Sequence, residues 1–429
     1  MSANGRRSAV VVDGCRTPFL RSGTDFQDLR AYDLGAMAVS ALLARSPVPL
    51  EEIGRVVMGT VLQDPQTSNL AREVALAARL PDACPAFTVT AACVSSNVAI
   101  AAAAAAIEIG EIDVAVAGGA ETLSDVPIRF RRAMRKRLIA ASKAKGTLAK
   151  LRIFGGLRLA DFRPEAPRIA EFSTGQTMGE NAERLAKRLA ISREDQDAYA
   201  LSSHRRAAQA QTNGFLEDQL VPALVPPRFT PISKDDGVRG DTSLEKLARL
   251  PPAFDRRFGS VTAGNSSFLT DGAAACLLAS EARAAELGMR PLARIAASAL
   301  VSADPLEDLL LGPAFAIPKA LDAAGLTLAD VDVFEIHEAF AAPVLAVVRL
   351  LADASFCRER LGRSAPLGTI PDAKLNAWGG SLSLGHPFGA TGARLVTTAC
   401  RRLAKEDGRV ALVASCAAGG LGHAMVLVR

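Results

Sequence analysis

Short β-type runs alternate with long helical stretches along the chain, and this alternation limits the fold more than any other feature of the sequence. Runs of Val, Ile and Ala without polar alternation are typical of strands buried on both faces. The strand candidates are Ala9–Val12, Arg55–Met58, Val114–Ala117, Ala274–Ala279, Val331–Glu335 and Val410–Ala414. The helix candidates are Tyr32–Ser46, Ser95–Glu108, Met178–Ala190, Arg193–Thr212, Phe315–Ala324, Pro343–Ala352 and Gly389–Ala404. The pattern predicts an α/β fold with largely buried strands.

One order of elements occurs twice. Helix 95–108 is followed by a charged turn, a strand and Gly118–Gly119. Helix 389–404 is likewise followed by a charged turn, a strand and Gly419–Gly420. The repeat predicts two related βαβ-type halves. The proline-rich stretch between them, residues 126–268, predicts an insertion that lies over a site.

These boundaries divide the chain into three parts, which agrees with a length of 429 residues at roughly 150 residues per domain. We expect an N-terminal half over residues 1–125 that is completed by about 269–290. The inserted loop domain then spans 126–268, and the C-terminal half spans 291–429.

Composition excludes several classes of protein. With 49% hydrophobic and 22% charged residues, the chain is neither collagen-like nor disordered. Its longest run of small apolar residues, 98–107, is half of the roughly 20 residues that a membrane-spanning helix needs. The seven cysteines contain no CxxC pair, and no histidines have metal-ligand spacing, so neither a disulfide framework nor a metal site is expected. With no secretory signal at its start, the chain is expected in a reducing, cytoplasmic compartment.

The net charge of +5 comes from one segment. Between Val126 and Ala160 there are eleven basic residues and no acidic residue, and subtracting these eleven from +5 leaves −6 for the rest of the chain. The segment can face the phosphates of a substrate, an anionic membrane surface or an acidic partner subunit, or it can be a solvated helix face. We expect no nucleic-acid partner.

Two candidate catalytic side chains immediately precede predicted helices. Cys93 follows a β-type segment and leads into helix 95–108, and a helix N-terminus is expected to lower the pKa of a thiol. His386 lies in the glycine-rich stretch 376–392, where an imidazole suits a general base that activates a thiol. Each residue has a purely structural alternative, a small buried side chain for Cys93 and a helix-entry turn for His386.

Two further candidates follow predicted strands. Cys416 ends a strand before Gly419–Gly420, where a thiol can transfer protons and backbone N–H groups can form an oxyanion hole. His337 follows the strand at 331–335, at the sheet edge where ligands bind in open α/β folds. A lone histidine of this kind is usually structural, but four such residues at junctions in both halves favour a shared site.

The sequence resembles the thiolase family over essentially its whole length. Besides the stretches around the four candidates, three motifs carry the resemblance: VDGCRTPF at 12–19, GGAETLS at 118–124 and VTAGNSS at 261–267. The resemblance implies a thiolase fold, with the two halves forming a five-layered α-β-α-β-α core. It implies coenzyme A as a substrate and no tightly bound cofactor or metal.

The resemblance also implies residue roles. Cys93 would be the nucleophile, His386 its activating base, and Cys416 the acid/base that protonates the leaving enolate and deprotonates incoming CoA. His337 would orient a water or donate to the thioester oxygen. The backbone N–H groups of Cys93 and Ala418 would form an oxyanion hole. The residues implied for substrate or CoA binding are Ser267, Phe340 and Gly385.

Two departures from the common family pattern point to a subfamily. Many thiolases have Asn where this chain has His337, and Gly where it has Ala418. Both departures, like the basic run 129–137, are similar to the β-subunit of the trifunctional fatty-acid oxidation complex. That likeness implies 3-ketoacyl-CoA thiolase activity, a homodimeric core and a hydratase/dehydrogenase α-subunit as partner. It also implies peripheral membrane contact through residues 129–158.

Other functions stay open at this point. A biosynthetic acetoacetyl-CoA thiolase would use the same residues in the reverse direction. A ketoacyl-synthase-like condensing enzyme would share the halves and the nucleophile, but Cys416 in its glycine loop argues against it. A lipid-surface scaffold without catalytic activity would rest on the basic segment alone.

Overall fold

The computed structural model describes residues 7–429. In the N-terminal part the strands are β1 (Ala9–Arg16), β2 (Leu20–Arg21), β3 (Arg55–Gly59), β4 (Ala86–Val89) and β5 (Val114–Glu121), and the helices are α1 (Ala31–Ala44), α2 (Leu70–Ala77) and α3 (Ser95–Glu108). The following segment contains β6 (Arg129–Phe130), α4 (Arg132–Lys143), α5 (Thr147–Ile153) and β7 (Pro164–Glu165).

The remaining elements complete the two halves. After the first insertion segment come α6 (Met178–Arg188), α7 (Arg193–Thr212), β8 (Ala223–Val225), β9 (Thr230–Ile232), α8 (Leu244–Ala248), β10 (Thr270–Ser280) and α9 (Glu281–Glu286). The C-terminal part contains β11 (Ala293–Ser302), α10 (Gly312–Ala324), β12 (Val333–Ile336), α11 (Ala341–Leu351), α12 (Ala354–Leu361), α13 (Ser381–Leu384), α14 (Thr391–Lys405), β13 (Val410–Ala417) and β14 (Leu421–Val428). Within residues 7–429, no helix combines the length and apolarity needed to cross a bilayer.

The two halves share one sheet topology. In the N-terminal half, β10 is antiparallel to both β1 and β5, and β5 is parallel to β3. In the C-terminal half, β14 is antiparallel to both β11 and β13, and β13 is parallel to β12. Antiparallel pairing of β1 with β11 joins the halves into a sheet of order β12-β13-β14-β11-β1-β10-β5-β3-β4, with β2 beside β10. The repeat predicted from the sequence is therefore present in the topology.

The helices and the two halves of the sheet form five layers, α-β-α-β-α. Neighbouring residues of one strand pack against different helices, which shows that both strand faces are covered. Val10 belongs to an apolar cluster with α1 and α2, whereas its neighbour Val11 belongs to a central cluster with α3 and α14. In the other half, Val333 faces that central cluster and Phe334 faces a cluster with α10 and α11. Because both faces of these strands are covered, neither face needs polar residues, which explains the continuous apolar runs.

Residues Val126–Ile169 form a compact unit separate from the rest of the described chain. Within it, the Arg137 guanidinium donates to the carbonyls of Ile153 and Gly155, at 2.6 Å each, and so joins α4 to the end of α5. The unit begins where the insertion is predicted to begin and is shorter than that insertion. The boundaries near 268 and 290 stay predictions.

Two local predictions are wrong. Gly118–Gly119 does not end its strand, because β5 continues to Glu121. A Cβ on Gly119 would lie 2.0 Å from the Gly389 carbonyl oxygen, so this glycine permits close approach of the loop before α14. That helix begins at Thr391 rather than at Gly389, since the preceding residues form a turn in which Ala390 N–H donates to the Pro387 carbonyl at 3.0 Å.

Candidate active site

Cys93 lies in a tight bend between β4 and α3. Ala92, just before it, has a left-handed φ of 48°. The Ser95 hydroxyl closes the bend, since it donates to the Ala92 carbonyl at 2.6 Å and accepts the Ala91 N–H at 2.9 Å. The sequence prediction that Cys93 lies at a strand-to-helix junction is confirmed.

Two histidines of the C-terminal half face the Cys93 sulfur. His337 follows β12 directly and His386 precedes α14, and their ring centroids are 4.1 Å apart. The Cys93 Sγ and one ring nitrogen of each histidine all lie within 4.8 Å of one another. Both Nε2 atoms are buried and without a hydrogen-bond partner in residues 7–429, whereas both Nδ1 atoms are bonded to hydroxyls. The Nε2 atoms are therefore the ones free to act on the thiol or on a substrate.

Hydrogen bonding at Nδ1 leaves His386 with an Nε2 that can accept a proton from this cluster. Its Nδ1 lies 2.7 Å from Thr391 Oγ1, and that hydroxyl donates to the Pro387 carbonyl at 2.9 Å. A hydroxyl has a single proton, so Thr391 must accept the His386 Nδ1–H, which leaves a lone pair on Nε2. Burial, with a smaller effect from Arg394, lowers the pKa of His386 to about 3. The imidazole is thus neutral at physiological pH and able to take a proton.

Cys416 lies near the end of β13, before a turn over Ala418–Gly420. The left-handed conformations of this turn fall on Gly419 and Gly420, with φ of 80° and 70°, so Ala418 needs none. The Ala418 N–H donates towards the Cys93 sulfur. Glu171 Oε2 accepts the Gly419 N–H at 2.6 Å and holds the turn in place. This geometry suits the backbone oxyanion hole expected at Cys93 and Ala418.

The expectation that a helix N-terminus lowers the pKa of Cys93 is wrong. Burial raises the pKa of this thiol above its usual range, and Cys416 and Glu121 add to the increase. These effects outweigh the backbone N–H groups of Ala418 and Cys93, which favour the thiolate. Burial also raises the pKa of Cys416 to about 12. Both thiols therefore rest in the protonated form, and either needs a base before it can act.

One buried carboxylate holds the loop of His337 against the loop of α13. Glu338 accepts hydrogen bonds from Tyr199 Oη at 2.9 Å and Asn376 Nδ2 at 2.7 Å. It also accepts from Ser203 Oγ at 2.8 Å and from the Leu382 N–H at 3.1 Å. Glu338 is not among the residues predicted from the sequence, although its place directly after His337 was an available signal.

A second buried carboxylate joins the two halves at the site. Glu121, at the end of β5, accepts the N–H groups of Val61, Leu62 and Gly389 at 2.9 Å each. Gly389 belongs to the loop that carries His386, so this carboxylate fixes that loop to the strands of the other half. Burial raises the pKa of Glu121 to about 7. Glu121 lies in the motif GGAETLS at 118–124, but that motif does not predict this role, because the partners of Glu121 are far away along the chain.

The three residues expected to bind substrate or CoA lie around this centre. The Ser267 N–H donates to the Ala339 carbonyl at 2.9 Å, which places it beside the loop that follows His337. The Phe340 ring packs edge-on against Phe254, with centroids 6.0 Å apart. Gly385 immediately precedes His386 and has a φ of 104°, a conformation that glycine adopts without strain. Their binding roles stay predictions.

Comparison with known proteins identifies the family. The chain matches the model of the thiolase N-terminal domain over residues 9–282 and that of the thiolase C-terminal domain over residues 289–429. The chain belongs to the thiolase family. Thiolases are acyltransferases with coenzyme A as a substrate. The sulfur of Cys93 and the ring nitrogens of His337 and His386 lie close enough together to hold a metal ion, but the same arrangement also fits nucleophilic and acid–base chemistry.

Individual relatives agree with the family assignment. The chain is 51% identical over 421 residues to the mitochondrial trifunctional enzyme subunit beta of Bos taurus, covering 98% of this chain and 88% of that one. It is 46% identical over 418 residues to the 3-ketoacyl-CoA thiolase of Yersinia pestis, covering 97% and 96%. The crystal structure of Bacillus anthracis acetyl-CoA acetyltransferase superposes with a TM-score of 0.85 at 32% identity, covering 99% and 100%. The five-layered thiolase fold expected from the resemblance is confirmed.

Proposed function

We propose that the chain is a 3-ketoacyl-CoA thiolase that cleaves 3-ketoacyl-CoA with CoA to acetyl-CoA and a shortened acyl-CoA, in fatty-acid β-oxidation. The observation that carries the proposal is the cluster of Cys93, His337 and His386, in which the thiol and two imidazoles from both halves lie within 4.8 Å. The names of the most similar relatives support the same reaction.

In the first half-reaction, His386 Nε2 takes the proton of the Cys93 thiol and the sulfur attacks the C3 carbonyl of the substrate. The N–H groups of Cys93 and Ala418 stabilise the oxyanion that forms. The bond between C2 and C3 then breaks, and its electron pair moves to C2 as the enolate of acetyl-CoA. His337 donates to the thioester oxygen of this enolate, and Cys416 protonates C2. Acetyl-CoA leaves, and the acyl group stays on Cys93.

In the second half-reaction, the Cys416 thiolate takes the proton of incoming CoA. The CoA sulfur attacks the acyl carbon, and the Cys93 sulfur leaves and regains its proton from His386. A covalent intermediate shared by two half-reactions gives ping-pong kinetics. The raised pKa values of Cys93 and Cys416 support this scheme, because each thiol needs proton transfer to a neighbour.

The alternative functions receive less support. A biosynthetic acetoacetyl-CoA thiolase would use the same centre, and the Bacillus anthracis structure carries the name acetyl-CoA acetyltransferase at 32% identity. The relatives at 46% and 51% identity are instead named 3-ketoacyl-CoA thiolase and trifunctional enzyme subunit beta. A scaffold without catalytic activity gives no reason for two imidazoles aimed at a thiol.

Several partners belong to the same proposal. The trifunctional name of the bovine relative supports a complex with a hydratase/dehydrogenase α-subunit, built on a homodimeric core. The unit 126–169 supports contact with an anionic lipid surface, because its basic residues are accompanied by exposed apolar side chains. These are Ile128, Phe130, Leu138, Ile139, Leu148, Leu151, Leu159, Phe162 and Ile169. Seven free cysteines support a reducing, cytoplasmic compartment.

Mass spectrometry after incubation with acetyl-CoA tests the proposed function. We expect acetylation of Cys93 that free CoA removes, and CoA-dependent loss of 3-ketoacyl-CoA in steady-state assays. Cys93→Ala should abolish both signals, whereas Cys84→Ala, which removes a cysteine outside the site, should leave both intact. No adduct on any cysteine, or turnover retained in Cys93→Ala, would contradict the proposal.

A further inference from the structure

We propose that Ser381, itself bonded to Arg394, is a positioning residue that fixes His337 in the Nε2–H form and so makes it a hydrogen-bond donor to the substrate. The inference rests on the proposed thiolase function and concerns two residues, Ser381 and Arg394, for which the sequence alone predicts no role. Both are fully buried.

The Ser381 hydroxyl has two neighbours and only one proton to donate. Arg394 Nη2 lies 2.9 Å from Ser381 Oγ, and His337 Nδ1 lies 2.9 Å from the same oxygen. A guanidinium is always protonated and can only donate, so Arg394 occupies a lone pair of the serine oxygen. The one proton of the hydroxyl then points to His337 Nδ1, the acceptor in hydrogen-bond reach among residues 7–429.

The hydrogen bond from Ser381 decides which ring nitrogen of His337 carries the proton. Since His337 Nδ1 accepts a hydrogen bond, the ring proton is on Nε2 in the neutral form. Burial, His386 and Arg394 lower the pKa of His337 well below its usual value, so the ring stays neutral at working pH. Its Nε2, buried and without a partner in the described chain, therefore offers an N–H to the site.

The two imidazoles are thereby given opposite tasks. The Thr391 hydroxyl accepts from His386 and leaves its Nε2 as an acceptor, whereas the Ser381 hydroxyl donates to His337 and leaves its Nε2 as a donor. The two rings lie side by side, with centroids 4.1 Å apart, so their hydroxyl partners distinguish the donor from the acceptor. An acceptor suits removal of the Cys93 proton, and a donor suits charge that develops on the substrate oxygen.

Arg394 belongs to a buried ion network. Its Nη1 lies 3.6 Å from Glu335 Oε2, and Glu335 Oε1 accepts from Arg402 Nη1 at 2.9 Å. All three side chains are completely buried. Glu335 belongs to β12, two residues before His337, and the two arginines belong to α14. This ion network thus links the strand that ends at His337 to the helix that presents Arg394, and keeps the donor–acceptor order fixed.

Nitrogen-15 NMR of histidine-labelled protein tests the assignment directly. The chain has four histidines, and the signals of His337 are identified by their loss in His337→Asn. We expect protonated Nε2 and unprotonated Nδ1 at position 337 in the wild type. Protonated Nδ1 there would overturn the proposal, even if Ser381→Ala fails to fold.

Kinetics of Ser381→Ala provide the second test. We expect kcat to fall at least tenfold with KM changed less than twofold, because the lost interaction acts on the transition state. Ser381→Thr, which retains a hydroxyl, should recover most of kcat. Ser415→Ala is the matched control, since Ser415 is also buried but its Oγ has no hydrogen-bond partner within residues 7–429.

A double variant separates a positioning role from a merely structural one. In the His337→Asn background the side chain at 337 has no tautomers, so Ser381→Ala should have little further effect on kcat. An equal loss in both backgrounds, or the same loss in Ser415→Ala, would overturn the proposal. Absence of thiolysis in the wild type would instead contradict the proposed function, while the NMR result would still decide the form of His337.

Discussion

At the residue scale, the nucleophile is a thiol that its surroundings hold in the protonated form. Cys93 retains some solvent exposure, yet burial has the largest influence on the pKa of its sulfur. The neighbouring base stays deprotonated, because the pKa of His386 is about 3. Proton transfer from thiol to imidazole is thus an uphill step in the free enzyme, and substrate binding has to make it productive.

Alkylation of Cys93 tests this resting state. Because its pKa lies above the usual range, its thiolate fraction should rise about tenfold for each pH unit from 6.5 to 9.5. We expect the rate of carbamidomethylation by iodoacetamide, followed on the Cys93 peptide, to rise across this range without a plateau. A free cysteine derivative under the same conditions should level off above its pKa of about 8.5. A plateau for Cys93 near neutral pH would show a thiolate already present.

The positions of the four catalytic candidates could be predicted from the sequence, because each lies beside a strand or helix end that its own neighbours define. The partners that orient them could not. Ser381 bonds to His337, 44 residues away, and Arg394 bonds to Ser381, and nothing in the local sequence encodes these contacts. The direction of the pKa shift at Cys93 was also beyond the sequence, since burial by distant segments decides it.

At the element scale, short loops rather than helices carry the chemistry. The turn over Ala418–Gly420 presents a backbone N–H to Cys93. Two distant segments hold this turn, since Glu171 accepts the Gly419 N–H at 2.6 Å and the Ala303 N–H donates to the Gly420 carbonyl at 2.8 Å. The sequence predicted a glycine loop at this place but gave no sign of the carboxylate that holds it.

Removing that carboxylate should weaken catalysis without unfolding the protein. For Glu171→Ala we expect kcat to fall about three- to thirtyfold, since a misplaced oxyanion-hole donor loses part of its roughly hundredfold effect. Glu171→Gln, whose side-chain oxygen can still accept the Gly419 N–H, should retain most of kcat. Steady-state rates with circular dichroism as a folding control provide the measurement. Equal losses in the two variants would contradict a role based on this hydrogen bond.

At the scale of the whole molecule, all four histidines are buried and have lowered pKa values. They are His204, His337, His386 and His423. The unfolded chain takes up protons on them below about pH 6.5. In the folded chain all four pKa values are lower, at about 4 for His204 and His423 and about 3 for His386. Glu121 has the opposite effect on stability and offsets the contribution of one histidine. Its raised pKa of about 7 makes the folded state bind a proton that the unfolded state has lost.

The free energy of unfolding should therefore decrease as the pH falls from 6.5 to 5. Each histidine contributes about 1.4 kcal/mol per pH unit in this window, so the net change is several kcal/mol. Urea unfolding at pH 7.0, 6.0 and 5.0 measures it. In His204→Asn, where the amide oxygen can still accept the Arg239 N–H, the dependence should be reduced by one proton. A midpoint independent of pH would contradict the prediction.

The unit 126–169 leads to a prediction about membranes. Three exposed basic residues of α4 are replaced by Gln in one variant: Arg132, Lys136 and Lys143. At about 1 kcal/mol for each charge near an anionic surface, binding to phosphatidylglycerol vesicles should fall more than tenfold in cosedimentation. Thiolysis in solution should be unchanged.

A charge-matched variant controls for net charge alone. It replaces three exposed basic residues elsewhere: Arg290, Lys319 and Arg358. Vesicle binding should be close to that of the wild type in this variant. Equal binding by all three proteins, or no binding by the wild type, would contradict membrane contact through this unit.

The shared topology of the two halves gives Cys93 and His386 corresponding places, each just before the helix that leads into paired antiparallel strands: α3 into β5 and β10, and α14 into β13 and β14. An ancestor made of two identical copies would have carried the same residue at both. In the present chain the two places differ, since the N-terminal half has the nucleophilic sulfur of Cys93 and the C-terminal half has the proton acceptor His386. A chain cut between residues 282 and 289, where the two family domains meet, would give fragments that each lack half of the reaction. Only their reassembly would restore turnover.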